Sequence, residues 1–340
     1  MGSGRLLRLL LAVVLIVAGA AGWQVFRSGS LLPPAVAPSS VRDVYQVPTE
    51  DGLLLSLFLL SDLHISADNP EPAKKLEMAL QDLIRFDPPV DAIILGGDLT
   101  ENGREQDYEA LRRILSRYRL PPIYGLMGNH DYYDIWYGPD GRLERDTVPN
   151  GKTDAQARER FVRFMNYDGR PYHDVWINGV HLIMLSQEAY LQERPEVGEG
   201  AWYSDEQLNW LRQIMAAHTG GEPALIFIHQ PLPPEGQDGG SHRLIRANEF
   251  REILRPYRNV FVFSGHTHRP LESPDRYVRQ GNLHWFSNAS VGRTRKQGPS
   301  VPDPVQGLYI QVYKDRVVVR GREFSTNTWI PAAHWTVALE

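Results

Sequence analysis

The feature that most restricts this chain is a set of five short apolar runs, each ending on residue types that can ligate a metal. Residues 53–60 run into Ser61-Asp62-Leu63-His64, and residues 92–95 into Gly96-Gly97-Asp98. Residues 123–127 run into Gly128-Asn129-His130-Asp131, residues 224–228 into His229, and residues 260–263 into Ser264-Gly265-His266-Thr267-His268. Short apolar runs without polar alternation suit strands buried on both faces. A further run of this kind covers 182–185.

Between the runs lie helical patterns. Leu76, Ala79, Leu80, Leu83 and Ile84 follow the spacing of one helix face, and Asp87-Pro88-Pro89 closes that segment. Ser204-x-x-Gln207 reads as a capping box ahead of Leu208, Leu211 and Met215, and a third helix is expected over about 248–257. Residues 308–313 and 316–319, separated by Lys314-Asp315, read as a hairpin. Alternating strands and helices predict an α/β sandwich, with sheets inside and helices outside.

The start of the chain carries a different signal. Arg5 and Arg8 precede a run from residue 9 to 25 that is apolar, Gly or Ala except for Gln24. A basic n-region before an apolar h-region marks residues 1–27 as a signal peptide or signal anchor, with Ala18-Gly19-Ala20 as a small-residue cleavage pattern. Either form sends the remainder outward and predicts an extracytoplasmic protein, secreted or held on the cell membrane. Residues 28–45 read as a Pro/Ser/Gly linker, 46–325 as the folded domain and 326–340 as a C-terminal extension.

Composition removes several chemistries. The 340 residues contain no cysteine, so disulfides, thiolate zinc sites and thiol nucleophiles are excluded. The formal net charge of −5, without a Lys/Arg block, gives no footprint for nucleic acid.

If the five runs are neighbouring strands, their ends converge, because open α/β sheets bind ligands beyond the carboxyl ends of their strands. In extended backbone residues i and i+2 point the same way, which would let Asp62 and His64 face inward together, and likewise His266 and His268. Carboxylates and imidazoles gathered in one cleft need compensating cations, and two divalent ions supply them.

The ordered set D-x-H, G-D, G-N-H-D, H and G-H-x-H, across about residues 53–268, resembles the calcineurin-like metallophosphoesterase superfamily. The resemblance implies a four-layer α/β/β/α sandwich and hydrolysis of a phosphodiester or phosphomonoester by a metal-bridging hydroxide. It implies that Asp62, His64 and His268 hold one metal, that Asn129, His229 and His266 hold the second, and that Asp98 bridges both. Manganese, iron or zinc would suit these ligands. His130 is then the general acid, with Glu101 or Asp131 as the carboxylate that orients it. Glu101 stands where purple acid phosphatases carry a tyrosine ligand, which argues against a purple centre. The sequence is most similar in look to the bacterial branch that includes class III cyclic-nucleotide phosphodiesterases. The rival readings are a catalytically idle metal-binding scaffold and a nuclease. The implied partners are a phosphate-ester substrate and, through an uncleaved N-terminus, the membrane; oligomeric state is left open.

Of the other histidines, His173, His181, His218, His284 and His334 are expected to be structural. His242 is the exception, since its loop, rich in Pro and Gly, lies between two metal motifs and offers Arg243 and Arg246 to a charged substrate. Tyr132, Tyr133, Trp136 and Tyr137 could wall a pocket or simply pack.

Overall fold

The computed structural model describes residues 45–46, 51–295 and 303–340. The expected signal segment and nearly all of the linker lie outside the described residues.

The chain begins with β1 (Tyr45–Gln46), β2 (Leu53–Leu60), α1 (Glu71–Leu83), β3 (Phe86–Asp87), β4 (Ala92–Gly96), α2 (Glu105–Leu115) and β5 (Ile123–Leu126). A 3₁₀ segment, His130–Trp136, leads to α3 (Asp154–Met165), β6 (His173–Ile177), β7 (Val180–Met184) and α4 (Asp205–Met215). Then come β8 (Ala224–Phe227), α5 (Ala247–Leu254), β9 (Val260–Ser264), β10 (Tyr277–Gln280) and β11 (Leu283–Ser287). The last strands are β12 (Gln306–Tyr313), β13 (Arg316–Glu323) and β14 (Thr328–Ala338).

Two six-stranded sheets form the middle, in the orders β14-β13-β12-β2-β4-β5 and β10-β11-β9-β8-β7-β6. The alternation within β2 explains the layering. Phe58 and Leu60 face a core made with Leu76 and Leu80 of α1, Leu111 of α2 and Phe161 of α3. Leu55, Leu57 and Leu59 face the other way, onto Leu182, Met184, Phe227 and Phe261 of the second sheet. That sheet's far face, with Ile183, Ile226 and Val262, is covered by Leu208 and Leu211 of α4 and by Phe250 and Leu254 of α5. A strand apolar on both faces is one that has a layer on each side. The result is the four-layer α/β/β/α sandwich.

β2, β4 and β5 are parallel neighbours, as are β7, β8 and β9. Two sets of carboxyl ends therefore deliver the five metal motifs.

Two local expectations change. Ser204 does cap α4, its Oγ accepting from Gln207 N at 3.1 Å. The reciprocal half of the box is missing, because Gln207 Nε2 donates instead to Ser186 O at 2.9 Å and Ser204 N donates to Glu188 Oε2 at 2.6 Å. Residues 326–340 are more than an extension, since β14 is the edge strand of the first sheet and buries Ile330, Ala333 and Val337. Pro331 breaks the strand pattern there, but it lies where the register shifts, between the pairs Gly321–Ile330 and Arg320–His334, so no ladder donor is needed from it.

Candidate dinuclear metal centre

The backbone at the strand ends is not extended. Asp62, His64, Asp98, His266 and His268 have φ of 54, 50, 49, 68 and 54°, all left-handed. Asp62 and His64, and His266 and His268, therefore do not come together as extended i, i+2 pairs: each motif leaves its strand in a sharp turn. The left-handed conformation costs a residue with a Cβ roughly 1–2 kcal/mol. Such a concentration of it is typical of functional sites held by their surroundings. Here the holding bonds are Asp62 N to Gly97 O and His64 N to Asp98 O, both 3.0 Å, which continue the β2–β4 pairing past the strands.

Ligand-type atoms of Asp62, His64, Asp98 and His268 lie within 4.8 Å of one another, and so do those of Asp98, His229 and His266. Asp98 belongs to both groups, as a bridging carboxylate must. His64 Nε2 is 3.0 Å from His268 Nε2, His268 Nε2 is 3.1 Å from Asp62 Oδ1, and His229 Nε2 is 3.1 Å from Asp98 Oδ2. Asp98 Oδ2 and His229 Nε2 are buried and have no partner beyond each other. Buried polar atoms without partners are costly, and two imidazole nitrogens pointed at each other need something between them. Carboxylate and imidazole donors arranged this way fit two cations.

The opposite edges of the rings are held. His64 Nδ1 lies 3.0 Å from Glu101 Oε2 and His229 Nδ1 2.9 Å from Gly96 O. For His64 such a bond places the proton on Nδ1 and leaves the Nε2 lone pair facing the centre, whereas His229, with Nδ1–H given to Gly96 O, turns Nε2 to the Asp98 carboxylate. Asp62 accepts from the backbone N–H of His266 at 2.9 Å. Asn129 donates from Nδ2 to Glu199 Oε2 at 2.6 Å and to Tyr133 OH at 3.1 Å, so Oδ1, with only a long contact of 3.4 Å from Gln230 Nε2, is its atom for a cation.

Charge follows this geometry. Burial opposes a positive charge on His229, but the Asp98 carboxylate outweighs it and pushes the imidazole up to about 9. Burial and then the charge of His229 push His266 down to about 3. Burial, with His130 next in effect, also holds His64 well below the usual histidine range. For Asp98 burial acts upward, yet His229 and His130 bring it well below the usual carboxylate range. Asp98 is thus ionised while His64 and His266 keep free lone pairs.

His130, expected as the acid, stands at the edge of the centre with its side chain 18 % exposed. Its ring meets His64 edge-on, with centroids 4.5 Å apart, and leans against Tyr133 at 4.1 Å. Neither carboxylate expected to orient it makes a hydrogen bond to it. The Glu101 carboxylate is spent on His64 and on Arg293 Nη2, 2.7 Å away, and lies 3.7 Å from His130 Nδ1. It is the main-chain oxygen of Glu101 that holds His130 Nδ1, at 2.9 Å. Asp131 is fully buried and turned away. It accepts from Thr100 N at 3.1 Å, Thr100 Oγ1 at 3.0 Å, Gly128 N at 3.0 Å and Tyr108 OH at 3.2 Å. Burial, then repulsion from Asp98, raises it to about 6. Asp131 is therefore a brace between the turns after β4 and β5, which corrects its assignment as a catalytic carboxylate.

His242 sits at the rim, its Nδ1 3.3 Å from His266 Nε2. Arg243 and Arg246 are engaged elsewhere: Arg243 donates to Leu232 O at 2.8 Å, and Arg246 pairs with Asp205 at 2.7 Å and with Glu249. In the aromatic group, Tyr132 is tied to Gln187 O at 2.7 Å and Tyr137 to Asn102 Oδ1 at 2.9 Å, so both serve packing. Tyr133 alone lies against His130. Glu199 and Arg293 have no counterpart among the sequence-derived candidates; both come from irregular loops that carry no pattern.

Gly128 shows how tight the centre is. A Cβ there would fall 2.6 Å from His229 Cδ2 and closer still to Asp98 Oδ1. Gly128→Ala is expected to cost about 1–3 kcal/mol through overpacking and to weaken metal retention. Melting curves with and without added metal check this; an unchanged metal-dependent stabilisation would contradict it.

Residues 55–270 match the calcineurin-like phosphoesterase family. The chain is 24% identical to a probable cyclic nucleotide phosphodiesterase of Rhodopseudomonas palustris, over 84% of its own length and 98% of the relative's. It is also 24% identical to the 3′,5′-cyclic adenosine monophosphate phosphodiesterase CpdA of Pseudomonas aeruginosa, over 66% of this chain and 73% of CpdA. Among solved structures it resembles a dimetal phosphatase from Danio rerio, with a TM-score of 0.58 at 14% identity, covering 85% of this chain and all of that one. Fold, ligand geometry and likeness define one class, a dinuclear metal-dependent hydrolase of phosphate esters. The chain belongs to the calcineurin-like phosphoesterase family.

Proposed function

We propose that the substrate is a phosphodiester, with 3′,5′-cyclic nucleotides the first to test. The observation that carries this is similarity across 98% of the length of a probable cyclic nucleotide phosphodiesterase, joined to a site that gathers Asp62, His64, Asp98, His229, His266 and His268. In this reading Asp62, His64 and His268 hold one cation, Asn129, His229 and His266 hold the other, and Asp98 holds both. Manganese, iron and zinc all suit such mixed oxygen and nitrogen donors. When bound, two adjacent cations lower the pKa of a shared water and offset charge on the phosphoryl oxygens.

The chain's own residues do the rest. Glu101 fixes the ring of His64, and Asp62 is fixed by the His266 amide. His130 commits Nδ1–H to the Glu101 carbonyl, so Nε2 is the nitrogen left to pass a proton to the departing oxygen. That donation requires the doubly protonated ring.

We propose also that residues 1–27 carry the domain across the cytoplasmic membrane, on the strength of Arg5 and Arg8 ahead of the apolar run. Among the described residues no helix is long and apolar enough to cross a membrane. Fractionation of cells expressing the tagged full chain tests this; recovery in the cytosol alone would oppose it.

The substrate reading is tested by offering the full chain, with manganese, a 3′,5′-cyclic nucleotide, a glycerophosphodiester and a nucleoside monophosphate in parallel. Turnover of the cyclic diester well above that of the monoester is expected. A preference for the monoester would overturn it.

A further inference from the structure

Asn129 poses a problem that the ligand assignment alone does not solve. The two edges of a carboxamide have nearly the same shape, but only the oxygen binds a cation. Nothing in the side chain itself selects which edge faces the centre. The turn after β5 therefore needs an outside group to set it.

We infer that Glu199 is that group, a positioning residue that holds the oxygen edge of Asn129 toward the second cation. This rests on the reading of Asn129 as a ligand. A carboxylate accepts and does not donate, so Glu199 Oε2, 2.6 Å away, takes the amide's N–H edge and turns Oδ1 away from itself. The carboxylate is itself fixed on both oxygens: Tyr133 OH donates to Oε2 at 2.6 Å, and Tyr190 OH donates to Oε1 at 2.8 Å. Behind it, Gln230 Nε2 lies 3.2 Å from the Glu199 main-chain oxygen and 3.4 Å from Asn129 Oδ1, a longer contact that favours the same orientation of the amide.

The fold builds a loop to deliver this one side chain. Glu199 stands between Gly198, which has φ of 53°, and Gly200, where a Cβ would meet Gly240 O at 2.5 Å. Ala201 N then bonds Arg243 O, and Ile245 N bonds Ala201 O, each at 3.0 Å, which pins the loop to the segment after His229. Tyr133 also lies against His130. A single carboxylate thus ties a ligand of the second cation to the aromatic support of the proton donor.

The test is manganese titration of chelator-stripped full-length protein by calorimetry, comparing the parent with Glu199→Ala, Glu199→Gln and Asn129→Ala. The parent should bind two ions. Glu199→Ala should weaken the second by about ten- to a hundredfold, the range for loss of a residue that orients a ligand, and leave the first unchanged. Glu199→Gln retains an acceptor oxygen and should recover most of the loss; it also serves as the informative variant if Glu199→Ala does not fold. A general loss of structure would weaken both sites together, which would overturn a specific positioning role. Parent-like second-site affinity in Glu199→Ala, with Asn129→Ala weakened, would overturn the inference and leave the ligand assignment standing. Parent-like affinity in Asn129→Ala would instead overturn the ligand assignment on which it rests.

Discussion

Asp98→Asn is expected to cut turnover by more than about a thousandfold while leaving the fold intact. Asp98 is the one residue shared by both groups of ligand atoms. An amide offers one oxygen and no charge, so it cannot face two cations at once. Charge stabilisation by bound metal is worth several kcal/mol, and each 1.36 kcal/mol is tenfold in rate. The fold should survive for two local reasons. Asparagine is among the few residues that tolerate the left-handed conformation that Asp98 adopts, at φ 49°. Its Oδ1 can also go on accepting from His130 N, now 2.9 Å away. Metal analysis and a melting curve on the same sample check the two halves. Two ions bound with normal turnover would sink the bridging role.

His130→Ala should behave differently, keeping both ions and losing rate. The ring contributes no atom to either of the two groups that share Asp98, and clusters instead with His64 and Glu101 at the edge of the centre. A positioned acid typically contributes about 10²–10⁴-fold, and the contribution is largest when the departing oxygen is basic. The expected result is a large fall in kcat for an alkyl leaving group and a small one for a nitrophenyl group, which departs without a proton. Equal losses for both would argue against proton donation. Because Nδ1 is held by a main-chain oxygen rather than by a carboxylate, Glu101→Gln should not reproduce this leaving-group dependence. Its effect should pass through His64 and the first cation.

Much of the site was legible because buried strands and ligating side chains leave separate marks on a sequence. An apolar run such as 53–60 announces a strand with a layer on each face, and Asp62 and His64 at its end announce what the strand carries. The backbone there was not legible: the ordinary habit of extended chain predicts shared direction at i and i+2, whereas left-handed turns do the work. Carboxylate roles were misread for a related reason. Asp131 adjoins His130 in sequence, but the turn points the two side chains apart and gives Asp131 to the backbone of the neighbouring loop. Glu199 was invisible because it reaches Asn129 from 70 residues away, off a loop with no periodicity. The edge strand β14 was hidden by Pro331, whose place at a shift of register only the sheet reveals.

Hydrolysis is expected to require two cations held around Asp98. The most direct measurement is to strip the full-length protein with chelator and restore manganese in steps, following bound metal and cleavage of a bis-aryl phosphate diester together. No turnover is expected without metal, little at one equivalent and full rate only as the second ion binds. Full turnover in the stripped protein, or full rate at one bound ion, would contradict it.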